Sequence, residues 1–549
     1  MKKRLLKYIC LIQMIFLGTS CKNTVDTHKP EIFVQNGTSK DVIQSGDNWS
    51  NDDKTLNGSG IDNYLIAGEI IEAGDFELNA RLSLDSLNYS GASLVFGENQ
   101  FGFDTRSTDI TGKSALFVDG PLLGKNTIIS GSENKIKAGE PFEATVKLRG
   151  KELSLYIDGQ LVFTKQVSSK PVGNMALRPW RNKMKVIDFS ASGKLAPIQK
   201  INYLFKSGTD GYNTFRIPAL VLSAKGTIVA IAEGRKNSAS DTGDIDLVVK
   251  RSEDNGKTWS ELKVIWNDSL NVCGNPAPVV DYTTGTIWLL STWNLGSDHE
   301  SDIIKQTSKN TRRVFVSNST DDGVTWSKPI EITSLVKKSD WTWYATGPCH
   351  GIQVEKGSSK GRLVIPCDHI EAESNKYYSH IIYSDDHGKT WNPGGSTPQD
   401  QVNECTVAEL SDGSLMLNMR NYDRNQKVRK VAISKDGGLS WGNIYPDTAL
   451  IEPICQGSIL NLKKDISKSG EILFLNPGSE TSRSNMTLRL SNDDGKTWLY
   501  SKVLYHGPSA YSDLVQLPHN KIGCLYEAGY ITPYQGIVYQ EVSLSELHK

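Results

Sequence analysis

Apolar and polar residues alternate in short runs along most of the chain. From about Tyr64, "FELNARLSL", "GASLVFG", "FEATVKLRG" and "ELSLYIDGQLVFTK" repeat with period two and are broken by turn residues. Period two predicts half-buried strands, and a helical period is nearly absent. In "YIDGQLVF" the pair Asp158-Gly159 separates two apolar runs, which predicts a tight hairpin. Strands with frequent turns predict a β-sandwich here. From about Ala196 the pattern changes. Short apolar runs ("DLVVKRS", "RVFVSNS", "SHIIYS", "KVAIS", "MTLRLS") each lead into the same polar frame, Ser-x-Asp-x-Gly-x-Thr/Ser-Trp. The frames start at Ser252, Ser319, Ser384, Ser434 and Ser491. A repeat of this length means a propeller, a solenoid or an array, and the chain after Pro197 has room for six units of about 60 residues. Within the frame, Asp accepts hydrogen bonds from turn N–H groups, Gly supplies positive φ, and Trp packs between repeats. The five Asp residues fall on separate repeats, so they do not form a metal site.

Charge and cysteine content narrow the possibilities. The 549 residues carry a net charge of −1 with 22% charged side chains, and the basic residues are interleaved with acidic ones. That excludes the basic stripe of a nucleic-acid surface. The segment "MKKRLLKYICLIQMIFLGTSC" has a basic start, a short apolar run and small residues, and it reads as an export signal. The apolar run is too short to span a bilayer. Small residues ending in Cys21 resemble a bacterial lipoprotein signal, with residues 1–21 as the signal peptide and a lipid on Cys21. The expected location is the periplasm or the cell surface, held to an envelope membrane; ordinary secretion is the alternative. Beyond Cys10 and Cys21, six widely spaced cysteines show no C-x-x-C pair. They read as buried thiols rather than a zinc site, although export permits disulfides.

The repeated frames are similar to the Asp boxes of the sialidase (neuraminidase) superfamily, and the segments between them resemble bacterial exo-α-sialidases. The resemblance covers about Lys200 to Glu541. It implies an all-β chain in which a six-bladed β-propeller catalytic domain, residues 196–549, follows a linker plus lectin-like β-sandwich (jelly-roll), residues 22–195. Trp180 in that first domain reads equally as a sugar-stacking or a structural aromatic. "FRIPAL" contains Arg216, "LMLNMRN" contains Arg420 and "SETSRSNMTL" contains Arg483. By resemblance these three arginines grip the substrate carboxylate. Guanidinium groups suit that task, because they pair with a carboxylate through two parallel hydrogen bonds.

"PSAYSDL" matches the segment that carries the family's nucleophile, here Tyr511, and "QVNECTVAEL" supplies Glu404 as its base. A phenol with a pKa near 10 needs such a base. A neutral phenol also avoids the repulsion that a carboxylate nucleophile would meet at an anionic sugar. Asp241, Asp244 and Asp246 compete for the acid/base role. The family places its acid five or six residues after an arginine, here Arg235, which selects Asp241. Arg235 resembles the arginine near the 4-hydroxyl of the sugar. Glu527, in "CLYEAG", resembles the glutamate that orients the first arginine, and "NPAPVVD", with Asn275, resembles a family segment lining the 4-hydroxyl pocket, near which many bacterial relatives have Asp. His350 in "TGPCHGIQ" reads as a structural loop residue beside Cys349. The resemblance implies hydrolysis of terminal α-linked sialic acid with retention, acting on sialylated glycans and needing neither metal nor cofactor; no obligate protein partner is evident. A trans-sialidase, an intramolecular trans-sialidase with Trp341 and Trp343 shaping the leaving-group side, or a silent sialic-acid-binding propeller are the alternatives.

Overall fold

A computed structural model describes residues 30–547 apart from 47, 62, 71–73, 88–89, 106–113 and 464–469. The signal segment and Cys21 lie outside the described residues. The chain is nearly all-β and divides after Ile198 into two compact units.

In the first unit, two sheets of described strands enclose one apolar core. One sheet contributes Leu78, Leu82, Val146 and Phe189, and the other contributes Leu65, Leu94, Phe101 and Leu177, all of them buried. The hairpin at Asp158-Gly159 forms as expected. Ile157 pairs with Gln160, and the two loop residues take φ of 46° and 73°, the backbone that matches a strand pair's own twist. Trp180 carries the Arg178 guanidinium over its ring at 3.5 Å.

In the second unit the strands form successive antiparallel quartets. The first runs Thr214–Leu222, Ile228–Arg235, Ile245–Ser252, Lys263–Trp266. The second runs Val272–Asp281, Thr286–Asn294, Arg313–Ser319, Ile330–Glu331. In the third, Trp341–Thr346 and Ile352–Gln353 share one place as the inner strand, beside Leu363–Glu371, Tyr377–Ser384 and Asn392–Ser396. The fourth is Val402–Glu409, Leu415–Asn421, Val428–Ser434, Tyr445–Ile451. The fifth is Ser458–Asn461, Ile472–Pro477 and Ser484–Ser491, completed by the first half of the long strand Tyr500–Leu517. The second half of that strand opens the sixth, followed by Lys521–Ala528 and Gly536–Ser543. The sixth is completed by Tyr203–Lys206 from the start of the unit.

Burial explains why the quartets stay together. Each neighbouring pair shares an apolar cluster. Leu247 and Leu289 join the first to the second, Val316 and Leu363 the second to the third, and Ile381 and Leu417 the third to the fourth. Val431 and Phe474 join the fourth to the fifth, and Leu488 and Leu514 the fifth to the sixth. Leu525 and Phe215 then join the sixth to the first. The repeated frames sit where the third strand of a quartet turns toward the fourth. In the first, Gly256 N donates to Ser252 Oγ at 2.8 Å, and Thr258 donates its N to Asp254 Oδ1 at 2.9 Å and its hydroxyl to Oδ2 at 2.6 Å. The other four frames repeat this geometry. Gly256 takes φ of 87°, where a side chain would be strained. Trp259, Trp326, Trp391, Trp441 and Trp498 each pack into the cluster shared with the preceding quartet. All six described cysteines are free and buried, as the sequence suggests.

The Thr258 hydroxyl and backbone N–H hold the Asp254 carboxyl down at about 2. A carboxyl lowered by folding stabilises the fold above its unfolded pKa near 3.9, and that contribution is lost as pH falls through the folded value. Asp254→Ala is therefore expected to lower the melting temperature at pH 7, with the gap to wild type closing between about pH 4 and pH 2. A gap independent of pH in thermal melts would count against this account of the frame.

Candidate active site

The site is built where the inner strands begin. In four of them the ladder slips at or beside a candidate residue: between Arg216 and Ala219, Gly274 and Ala277, Val402 and Cys405, and Ser509 and Ser512. Such slips leave residues unpaired and turn their side chains out of the sheet's alternation. Pro218 and Pro276 fall in two of them and have no N–H to leave unsatisfied. Ile217 takes φ of 56°, costly for a β-branched residue by roughly 1–3 kcal/mol. Its N–H is held by Glu527 Oε1 at 2.9 Å.

Tyr511 is at the centre. Its buried hydroxyl lies 2.7 and 2.8 Å from the two Glu404 oxygens and accepts from Arg420 Nη1 at 3.1 Å. Arg420 Nη1 also donates to Glu404 at 2.6 Å. Burial and the adjacent Glu404 push the phenol well above its usual range, against the pull of Arg420, Arg483 and Arg216. The resting group is therefore a neutral phenol donating to Glu404. The Arg216 and Arg483 guanidiniums stand 5.2 and 5.5 Å from the centre of its ring.

Glu527, fully buried, accepts from Arg216 Nε at 3.1 Å and from Tyr511 N at 3.2 Å. Arg216 Nη2 and Arg420 Nε are buried and find no acceptor among the described residues. Arg483 donates Nη1 to the Tyr534 hydroxyl at 2.8 Å and makes no ion pair among the described residues. Three guanidiniums thus converge, with donors to spare.

Asp241 lies 2.7 Å from Arg235 Nη1 and 3.4 Å from Arg216 Nη1. Some burial raises its carboxyl, but Arg235, then Arg216 and Arg312, outweigh that and hold it below the usual aspartate value. The side chain is 61% exposed, so solvent screens these charges and only the direction is informative. Asp244 and Asp246 instead bind Lys236, at 3.1 and 3.3 Å, and Asp246 accepts from Tyr212 at 2.7 Å. Geometry thus separates the three aspartates.

Asn275 N donates to Glu233 Oε1 at 2.8 Å, and Glu233 Oε2 binds Arg235 Nη2 at 2.6 Å. The Asn275 side-chain oxygen Oδ1 accepts from Arg312 and, at 2.9 Å, from Thr292. Among the described residues Arg312 has only neutral acceptors, and burial pulls its guanidinium down to about 10. Trp341 is buried and stacks on His369 at 3.5 Å, whereas half-buried Trp343 lies over Arg312 at 4.2 Å. His350 is buried with Nδ1 2.6 Å from Asp513.

All nine candidate residues therefore belong to one connected network. Sequence reasoning missed Glu233, Arg312 and Tyr534. Glu233 had a signal, since it stands two residues before Arg235 on the same face of a strand; Arg312 and Tyr534 come from loops without one. A cavity of about 620 Å³ opens at the opposite ends of the same strands, near Leu222, Tyr282 and Glu409. It contains neither Tyr511, Glu404 nor the arginines, so the chemistry is assigned to the polar cluster.

A family model described as a BNR repeat-like domain matches residues 226–524, more than half of the chain. The chain is 34% identical over 364 residues to a sialidase of Micromonospora viridifaciens and 33% identical over 362 residues to a sialidase of Bacteroides fragilis. The alignments take in 64% and 62% of this chain, and 55% and 64% of those proteins. The chain belongs to the sialidase superfamily. Among solved structures, the Hadza microbial sialidase Hz136 superposes with a TM-score of 0.59 at 23% identity, covering 95% of this chain and 99% of that one. A leech intramolecular trans-sialidase superposes at 0.55 with 17% identity, covering 89% and 98%. These two likenesses concern the fold.

Removing one partner of a buried ion pair leaves the other charge uncompensated. In this superfamily member, Glu527→Gln is expected to destabilise the second unit by about 3–5 kcal/mol, read from the shift of its urea transition. A shift of the size typical for surface residues would overturn the role given to Glu527.

Proposed function

We propose that the chain is an exo-α-sialidase that hydrolyses terminal α-linked sialic acid from glycans with retention, on a six-bladed β-propeller preceded by a lectin-like β-sandwich. The observation that carries the reading is Tyr511, whose hydroxyl touches both Glu404 oxygens amid three convergent guanidiniums. The propeller is supported by quartets whose cores join each neighbour and then the last to the first. An outward-acting enzyme also suits export through residues 1–21, with Cys21 as the lipid acceptor.

The substrate carboxylate binds Arg216 Nη2, Arg420 and Arg483. The first and third of these flank the Tyr511 ring, so binding sets the anomeric carbon over the phenol oxygen. In the first step that oxygen attacks the anomeric carbon, Glu404 takes the phenolic proton, and Asp241 gives its proton to the leaving glycosidic oxygen. In the second step Asp241 takes a proton from water, the water oxygen attacks the anomeric carbon, and Tyr511 departs with its proton returned by Glu404. A tyrosine whose pKa is raised ionises only as it attacks, so no phenolate is held beside an anionic substrate.

Asp241 rests ionised between Arg235 and Arg216, yet must enter the first step protonated. A substrate carboxylate that engages Arg216 weakens the hold on Asp241 and raises its pKa. The complex then binds more protons than the free enzyme, so affinity for a carboxylate analogue rises as pH falls. Calorimetry with a sialic acid analogue at pH 5, in buffers of different ionisation enthalpy, is expected to show net proton uptake that Asp241→Asn removes; equal heats in all buffers would refute it. Asp241→Asn is also expected to lower kcat by about 10²–10⁴-fold on sialyllactose.

Tyr511→Phe is expected to abolish turnover of α2,3- and α2,6-sialyllactose while still binding the analogue, and proton NMR of the wild-type reaction should give α-sialic acid first. An anhydro or transferred sugar as the first product would replace hydrolysis with an intramolecular or acceptor transfer. Binding without turnover by the wild type would leave a lectin.

A further inference from the structure

Resting on that reading, we propose that Tyr534 is a positioning residue that spaces Arg216 and Arg483 so that both address one carboxylate. Its ring lies under the Arg216 guanidinium at 4.3 Å, and its hydroxyl accepts from Arg483 Nη1 at 2.8 Å. One side chain thus holds two like charges through two different surfaces, a π-face for one and a lone pair for the other. Its half-buried ring packs against Ile217, Cys455 and Tyr511.

The chemistry of the contact explains why a tyrosine suits the place. Arg216 and Arg420 already have carboxylate partners, Glu527 and Glu404. Arg483 has none among the described residues; its acceptors are Tyr534 and, at 3.4 Å, the Ile454 carbonyl. A carboxylate in place of the phenol would neutralise Arg483 and compete with the substrate. A neutral acceptor orients the guanidinium and leaves its charge for the ligand. Leucine or phenylalanine would leave a donor of Arg483 without its partner.

The backbone ties this side chain to the first arginine. Tyr534 stands in the short turn Pro533–Gln535. Ser207 Oγ donates to the Tyr534 carbonyl at 2.9 Å and accepts from the N–H of Phe215 at 3.1 Å, the residue before Arg216. Ser207 N donates to the Gln535 carbonyl at 3.1 Å. The turn and the Arg216 strand are therefore held by one serine.

The test compares wild type, Tyr534→Phe and Tyr534→Leu by kcat and KM on sialyllactose, and by inhibition constants for sialic acid and its methyl ester, which keeps the shape and lacks the charge. Tyr534→Phe keeps the ring and loses one hydrogen bond, so KM and the sialic acid constant are expected to rise about 5-fold. Tyr534→Leu loses the π-face too and is expected to raise both about 50-fold. The ester constant should change less than about 2-fold in the phenylalanine variant. A purely structural tyrosine would lower the melting temperature and the active fraction and leave KM and the acid-to-ester ratio unchanged, and that result would overturn the inference. If the leucine variant does not fold, the phenylalanine variant decides alone. A wild-type protein that neither cleaves nor binds a sialoside would instead sink the functional reading on which this one stands.

Discussion

A carboxylate removed from water costs several kcal/mol unless it is paired with a charge and hydrogen-bonded. Glu527 is fully buried and meets that condition by accepting from Arg216 Nε, Ile217 N and Tyr511 N. Two of those donors belong to the first quartet and the third to the last. The same carboxylate therefore joins the two ends of the second unit, orients the first arginine and fixes the backbone of the nucleophile. It also holds Ile217 in a conformation that an isoleucine would not choose. The remaining site geometry depends on this anchor, because Arg216 in turn reaches Asp241 and Tyr534.

The second constraint is the broken ladder. Regular strands send side chains alternately to opposite faces, which would spread Arg216, Asn275, Glu404 and Tyr511 along four separate surfaces. A slip at or beside each of them supplies the extra turn that lets side chains from different quartets meet. The cost in unpaired backbone is met locally: prolines stand in two slips, Thr346 Oγ1 donates to the Asn275 carbonyl at 2.6 Å, and Glu527 takes two of the freed N–H groups. Precision at the site thus comes from irregularities in an otherwise repetitive scaffold.

Local patterns made the repeats legible in the sequence. The Ser-x-Asp-x-Gly-x-Thr/Ser-Trp frame is self-contained, with its hydrogen bonds closing within a few residues, so spacing alone reveals its role. The Asp158-Gly159 hairpin is legible for the same reason. The sixth quartet carries no frame and borrows Tyr203–Lys206 from the far end of the unit, a pairing that no local pattern encodes. At the site, motif residues such as Arg216 and Tyr511 were visible, whereas Tyr534 and Arg312 act through contacts between segments remote in the chain. Trp341 and Trp343 show the limit of pattern: one turns into the core against His369, the other remains half-buried over Arg312. Two residues apart should mean the same face, and the slip between Trp341 and Tyr344 undoes that rule.

The pairing of Tyr203–Lys206 with Gly536–Ser543 has a consequence for how the chain is made. A ribosome releases the first of these strands long before the second. Until then the sixth quartet lacks an edge, and Phe205 lacks Ile537 in the cluster they share. Loop closure over so many residues is slow compared with hairpin formation. The nascent unit must therefore wait as a row of finished quartets with an exposed strand edge, the kind of edge that invites pairing with other chains. A chain cut short before Gly536 would keep that edge open permanently.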